Sequence, residues 1–160
     1  MTEEVLDDFR RTVEEASVKL LSMTEDESRA PLGGEKWSAK ETIGHLIDSA
    51  ANNHQRFVRA QFREDLVFDG YAQEDWIRAQ NYNEEPWPML VGLWRHYNLH
   101  LAHVMRHAPG PLRTEKRARH NFHQIGFAPI SEDEPSTLEH LMIDYIDHLK
   151  SHLRQILGEV

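Results

Sequence analysis

Four stretches of this 160-residue chain repeat apolar residues at intervals of three and four, the period of an amphipathic helix, and no two alternating runs mark a β-hairpin. The first runs from Glu3 to about Met23, with Val5, Phe9, Val13, Ala16, Leu20 and Met23 on one face. The second opens in "WSAKETIGHL" and extends to about Phe62. Ser38 is set to cap it, and Glu41, three residues on, completes a capping box that satisfies backbone donors left without helical partners. The third, "EEPWPMLVGLWRHYNLHLAHVMRHAPGP", is entered at Pro88 and stopped by Pro109 to Pro111. The last, "STLEHLMIDYIDHLKSHLRQIL", has Ser136 as its expected cap and Glu139 as the box partner. "TEDESRAPLGGEKW" reads as a loop, and "REDLVFDGYAQEDW" as a connection with a helical turn near Trp76. Leu112 to Glu134 shows no clean period and is expected to cross the molecule, ordered by Phe122 and Phe127. Four helices with one long connection before the last predict an all-α, four-helix bundle, a single domain over residues 1–160.

Composition narrows what such a bundle does. The formal charge of −9 disfavours nucleic acid, because an anionic surface repels phosphate. The longest apolar runs, such as "MLVGLW", are far too short to span a bilayer, so no membrane partner is expected. The start "MTEEVLDDF" is acidic rather than basic-then-apolar, which carries no secretory signature and points to a cytoplasmic protein. There are 11 His and no Cys. Any metal site must therefore be built from imidazole and carboxylate.

His148 and His152 stand four residues apart in the last helix, so both imidazoles lie on one flank. Relative to the apolar face centred on Leu138, Met142, Tyr145, Leu149, Leu153 and Ile156, His152 lies roughly 60° away and His148 roughly 100°. Such a pair either clips a metal ion or forms a solvated edge. His96, His100, His103 and His107 form a second stripe on the third helix. Each four-residue pair in it offers a clip, but four ligands in one row cannot surround one ion, so a polar boundary row is the preferred reading. In the second helix periodicity puts His54 at the centre of the apolar face. His45 falls nearly opposite, in a row with Asp48, Asn52, Arg56 and Arg59 that faces solvent or lines a cleft. His120 and His123 lie in the irregular segment and receive no role. Trp76, Trp87 and Trp94 suit pocket lining or an interface, with core packing the safer assignment for Trp94.

"KWSAKETIGHLIDSAANNHQRF" resembles the entry of the second helix in the DinB/YfiT-like superfamily, and "TLEHLMIDYIDHLKSHLRQI" resembles that family's last helix with its H-x₃-H pair. The resemblance implies an up-down-down-up four-helix bundle binding one divalent ion, zinc or nickel. It places the metal-binding histidines at His45, His148 and His152, with His54 as the second choice for the first of them. Glu41 and Asp48, one turn either side of His45, and Asp144, one turn before His148, are spaced to orient the imidazoles, although each taken singly reads more readily as an exposed charge. Three neutral imidazoles leave coordination positions open, the arrangement of a catalytic site. Within the superfamily are transferases that use low-molecular-weight thiols, a thiol-dependent isomerase and proteins labelled metal-dependent hydrolases, some of them dimers. The resemblance thus implies a metal-dependent enzyme of thiol S-transferase or hydrolase type acting on a small molecule, and it allows a homodimer. The alternative is a non-catalytic helical module that binds metal or a partner. In a thiol transferase, Arg56 and Arg59 on the His45 row would contact carboxylates of the thiol cofactor; otherwise they are surface arginines.

Overall fold

Local signals decide where the helices of this protein begin, and the computed structural model, which describes residues 1–34 and 36–158, shows most of them at work. The helices are α1 (Glu3–Leu21), α2 (Glu25–Arg29), α3 (Ala39–Arg59), α4 (Gln73–Gln80), α5 (Trp87–His107), α6 (Gly110–Thr114), α7 (Phe122–Ile125) and α8 (Leu138–Leu157). No strand forms among the described residues; three isolated bridges tie loop to loop. In α3 the capping box is complete: Glu41 N–H donates to Ser38 Oγ (3.1 Å) and Ser38 N–H to Glu41 Oε2 (2.8 Å). The segment taken for a loop after α1 contains a second box, Thr24 with Glu27, which nucleates the short α2.

The cap of α8 differs from expectation. Thr137, not Ser136, accepts the His140 N–H, at 3.0 Å. Ser136 is held extended because its backbone pairs with Arg117 in both directions, at 2.8 and 3.1 Å. Glu139 then has no box to close, and it takes the Met1 ammonium instead. α3 likewise ends at Arg59, with Ala60–Phe62 wound into a tighter 3₁₀ turn.

α1, α3, α5 and α8 are the long helices and pack as a bundle in which α1 and α3 each touch both α5 and α8. Pairwise contacts fix their directions. Asp7 meets Arg106 and Glu14 meets Arg95, so α1 and α5 run oppositely. Glu139 meets Met1 and Lys150 meets Asp8, so α1 and α8 run together. His45 approaches His148 while Phe57 meets Tyr145, so α3 opposes α8. Lys40 reaches the Glu85 carbonyl and His54 meets Tyr97, so α3 and α5 run together. Phe9, Ile43, Leu46, Phe57, Trp94, Leu101 and Leu149 fill the centre without exposure. Each such large side chain contributes about 1.5–3 kcal/mol by leaving water. Among the described residues no helix is long and apolar enough to cross a membrane.

Two segments outside the long helices cover the bundle. Residues 70–84 lie over the polar side of α3, where Tyr82 Oη (2.7 Å) and Gln80 Nε2 (2.8 Å) donate to Asp48 Oδ1. The Tyr82 ring lies on Gly44, where a Cβ would stand 2.1 Å from a ring carbon, so only glycine permits this approach. The second, the connection between α5 and α8, is fastened by His120. Its Nδ1 accepts the Phe122 N–H (3.2 Å), which leaves Nε2–H to donate to the Glu134 carbonyl (2.7 Å). Phe122 is buried, as expected of an ordering aromatic, whereas Phe127 remains 49% exposed.

Candidate metal centre

The polar row of α3 is not a solvated stripe except at its end, where Arg59 is exposed. His45 is only 2% exposed and Asp48 and Arg56 are buried as well. Asp48 is covered by the segment at residues 70–84, whose Tyr82 and Gln80 bond it, and His45 by Trp37 and the histidines of α8, neighbours that a single-helix wheel cannot register. His54, which periodicity places at the core centre, instead sits half-buried beside α5, with Nδ1 3.3 Å from the Tyr97 hydroxyl and its ring 5.1 Å from that of His100. His45 is the α3 histidine that faces α8.

There it meets the pair. His45 Nε2 lies 3.2 Å from His148 Nε2, and the His45 and His152 ring centres are 4.8 Å apart. One ring nitrogen from each of His45, His148 and His152 falls within a sphere of mutual distances no greater than 4.8 Å. Among the described residues no other group of three His, Asp or Glu meets that condition. The short nitrogen–nitrogen distance is a test of fit: two nitrogens at about 2.0–2.1 Å from one tetrahedral ion stand roughly 3.3 Å apart. The Nδ1 atoms are available for orientation. His152 Nδ1 lies 3.2 Å from Gln155 Oε1, which leaves Nε2 for the cluster, and His148 Nδ1 lies 3.5 Å from Ser49 Oγ. His45 Nδ1 is buried with no hydrogen-bond partner, and its ring packs against Trp37 at 5.1 Å. The donor set, three close imidazoles without thiolate, therefore fits a divalent cation.

Electrostatics support neutral rings. Burial, followed by the charge of His152, lowers the His45 pKa to about 4. Burial, then His152 and His45, lowers that of His148 to about 3, and burial lowers that of His152. Near neutral pH all three imidazoles thus keep a lone pair for an electrophile.

The carboxylates chosen by spacing have other partners. Glu41 closes the α3 capping box. Asp48 is turned towards Tyr82 and Gln80, with its other oxygen buried and unbonded, and burial raises its pKa. Asp144 accepts the backbone N–H groups of Phe127 (2.8 Å) and Ala128 (2.7 Å). None of the three accepts a hydrogen bond from the cluster, because a one-turn offset sets the side of the helix but not which neighbour claims the side chain. Asp144 acts at one remove: it pins the loop that brings the Phe127 ring to 5.4 Å from His148. Ser49 and Gln155 were legible as residues at four and three positions from His45 and His152, but nothing local distinguished them from surface polar groups. Trp37 stands in the helix-entry motif and Phe127 was expected to order the connection, but neither signal places the ring against a histidine.

The cluster opens on a cavity of about 700 Å³. Ser49, Asn53 and Arg56 of α3 form one side, Asp144 and Tyr145 of α8 another, and residues 70–75 and 124–127 the rim. The long connection thus helps wall the histidine pocket. By contrast His96, His100, His103 and His107 are all exposed on α5, with His96 and His107 turning Nδ1 back to carbonyls of their own helix. The boundary-row reading fits them.

No family model matches this chain, and no curated protein matches it. Among solved structures it is similar to one described as "YfiT from Bacillus subtilis is a probable metal-dependent hydrolase with an unusual four-helix bundle topology". The TM-score is 0.74 at 19% identity, over 98% of this chain and 86% of that one. The chain shares the four-helix-bundle fold of that protein, the same fold that the motif resemblance implies.

Proposed function

We propose that His45, His148 and His152 hold one divalent cation, zinc or nickel, and that the chain is a metal-dependent enzyme acting on a small molecule in the adjoining cavity. The observation that carries this reading is the convergence of three neutral imidazoles from two helices in the wall of a cavity of about 700 Å³. A closed structural site would show a fourth protein ligand; here the fourth side faces the cavity. An ion so held supplies Lewis acidity and a polarised nucleophile, which serves either hydrolysis or attack by a thiolate. The similar structure's description favours hydrolysis; transfer to or from a low-molecular-weight thiol is the finer alternative.

The chain's own residues have separable tasks. Gln155 and Ser49 set the tilt of His152 and His148 through their Nδ1 atoms. Trp37, which does not line the cavity, packs against the His45 ring. Phe127 closes over His148, held there by the Asp144 carboxylate.

The test is elemental analysis of untagged protein beside the His148→Ala/His152→Ala variant. About one zinc or nickel per chain, lost in a variant that keeps its helical content, supports the reading, and a screen of esters, amides and thiol-electrophile pairs on the loaded protein then separates hydrolase from transferase. Equal metal in both proteins would remove the site. Bound metal with no turnover in either reaction class would leave a non-catalytic metal module.

A further inference from the structure

Three cationic side chains are buried in the described structure, Lys40, Arg56 and Arg117. A buried charge is costly unless an opposite charge accompanies it. Lys40 has Glu25 at 2.6 Å and Arg117 has Glu115 at 3.8 Å. Arg56, 6% exposed, has no carboxylate at ion-pair distance among the described residues. Its guanidinium is held by neutral acceptors only, Nη1 donating to Asn53 Oδ1 (3.4 Å) and Nη2 to the Asp69 carbonyl (2.9 Å). Asn53 is itself fixed, because its amide donates to the Ser49 carbonyl at 3.0 Å. The exposed Asp69 carboxylate acts on Arg56 only from beyond ion-pair distance, so the fork is oriented without a direct ion pair, and it lines the cavity that holds the three histidines.

We propose that Arg56 is the anion-binding end of this pocket, taking a carboxylate of a substrate whose reacting group lies at the histidine end. The inference rests on the metal-site reading above for the second half of that statement and on Arg56 alone for the first. His45, Ser49, Asn53 and Arg56 follow one another at four, four and three residues, so they form a polar track of three turns, about 16 Å of helix axis. Side chains lean towards a helix N-terminus, which brings the long arginine back along that track and leaves roughly 10 Å to the cluster. A ligand that touches both ends is therefore elongated. One fork carries one positive charge, and Glu74, Asp75 and Asp144 line the same cavity. A phosphate dianion would meet that acidic rim with only one cation, whereas a planar monoanionic carboxylate matches the fork in charge and shape.

The experiment uses zinc-loaded wild-type protein and the Arg56→Met variant, titrated calorimetrically with the monohydroxamates of adipic, suberic and sebacic acids and with the methyl ester of each. Both members of a pair offer the same hydroxamate to the metal, so any difference reports the far end. The expected result is that the best-fitting free acid binds wild type about tenfold more tightly than its ester, and that the variant loses this preference with metal content and ester affinity unchanged. Equal binding of acid and ester to loaded wild-type protein overturns the Arg56 assignment and leaves the metal reading standing. If the protein takes up no metal, suberate against dimethyl suberate on the same two proteins decides: a preference for suberate that the variant loses keeps Arg56 while the metal reading fails, and no preference overturns Arg56 as well. Should Arg56→Met not fold, the acid–ester comparison in wild type decides alone.

Discussion

Two regions of this molecule carry the same sequence signature, histidines four residues apart on a long helix, and they end in opposite environments. On α8, His148 and His152 meet His45 from α3, half-buried at the end of a cavity. On α5, His96 with His100 and His103 with His107 repeat the spacing, and the rings of His103 and His107 approach to 4.1 Å, yet all four are exposed. Spacing brings two imidazoles together in either case. α5 also has an imidazole across from it, His54 of α3 at 5.1 Å from His100, but among the described residues only at α8 do three ring nitrogens converge within 4.8 Å, with burial that keeps the rings neutral. A metal centre needs convergence from a second element and an environment that penalises protonation, and neither is a property of one helix.

The sharpest way to break this comparison is to remove each pair. His148→Ala/His152→Ala is expected to weaken zinc or nickel binding by roughly a hundredfold or more, given the large binding free energy shared among a few ligands. His103→Ala/His107→Ala is expected to leave the tight site's stoichiometry unchanged in the same equilibrium dialysis, and loss of metal there would reverse the assignment. Next in size is the effect of the metal itself. Saturation at a hundredfold excess over Kd adds about 2.7 kcal/mol to the folded state. For a domain this size that raises Tm by roughly 5–10 °C in a thermal scan against a chelated control. The α5 variant should show the same rise and the α8 variant none. Acid works in the same direction as the chelator, because protons compete for imidazole lone pairs; with burial holding His45 at about 4 and His148 at about 3, the rise should persist through the ordinary histidine range and shrink only as pH falls towards 4.

Asp144→Ala asks whether the rim depends on the carboxylate that pins it. Losing two charge-assisted bonds to backbone N–H groups is expected to cost about 2 kcal/mol in denaturant unfolding. Metal should still bind, because Asp144 does not touch the cluster. A fall in metal content equal to that of the His148 variant would show that it does more than hold the loop. The smallest effect should come from Gln155→Ala, which removes the partner of His152 Nδ1. About a tenfold loss of zinc affinity is expected from competition with a chromophoric chelator. No change at all would mean that the His152 ring is set by packing against Trp37, 6.4 Å away, rather than by its hydrogen bond.

The long helices were legible because each of their signals is local. Ser38 and Glu41 lie three residues apart and satisfy one another's backbone, so the start of α3 follows from four consecutive residues. The same logic would have found α2 from Thr24 and Glu27, and it misplaced the α8 cap by one residue because the competing partner of Ser136 is Arg117, far back in the chain. Asp48 shows the limit at the site: its place one turn after His45 is right for the face, but Tyr82 and Gln80 arrive from a connection with no periodic pattern and claim its oxygen.

Local sequence thus specifies an all-helical chain, the positions of its four long helices, and a pair of adjacent imidazoles on the last of them. Tertiary structure decided that His45 rather than His54 joins that pair, that the row below it lines a cavity, and that Arg56 is buried there without a direct ion pair. Helical period reports how a helix meets one partner. α3 has two, the bundle on one side and residues 70–84 on the other, and the second layer turns a stripe that reads as solvent-facing into the wall of a site.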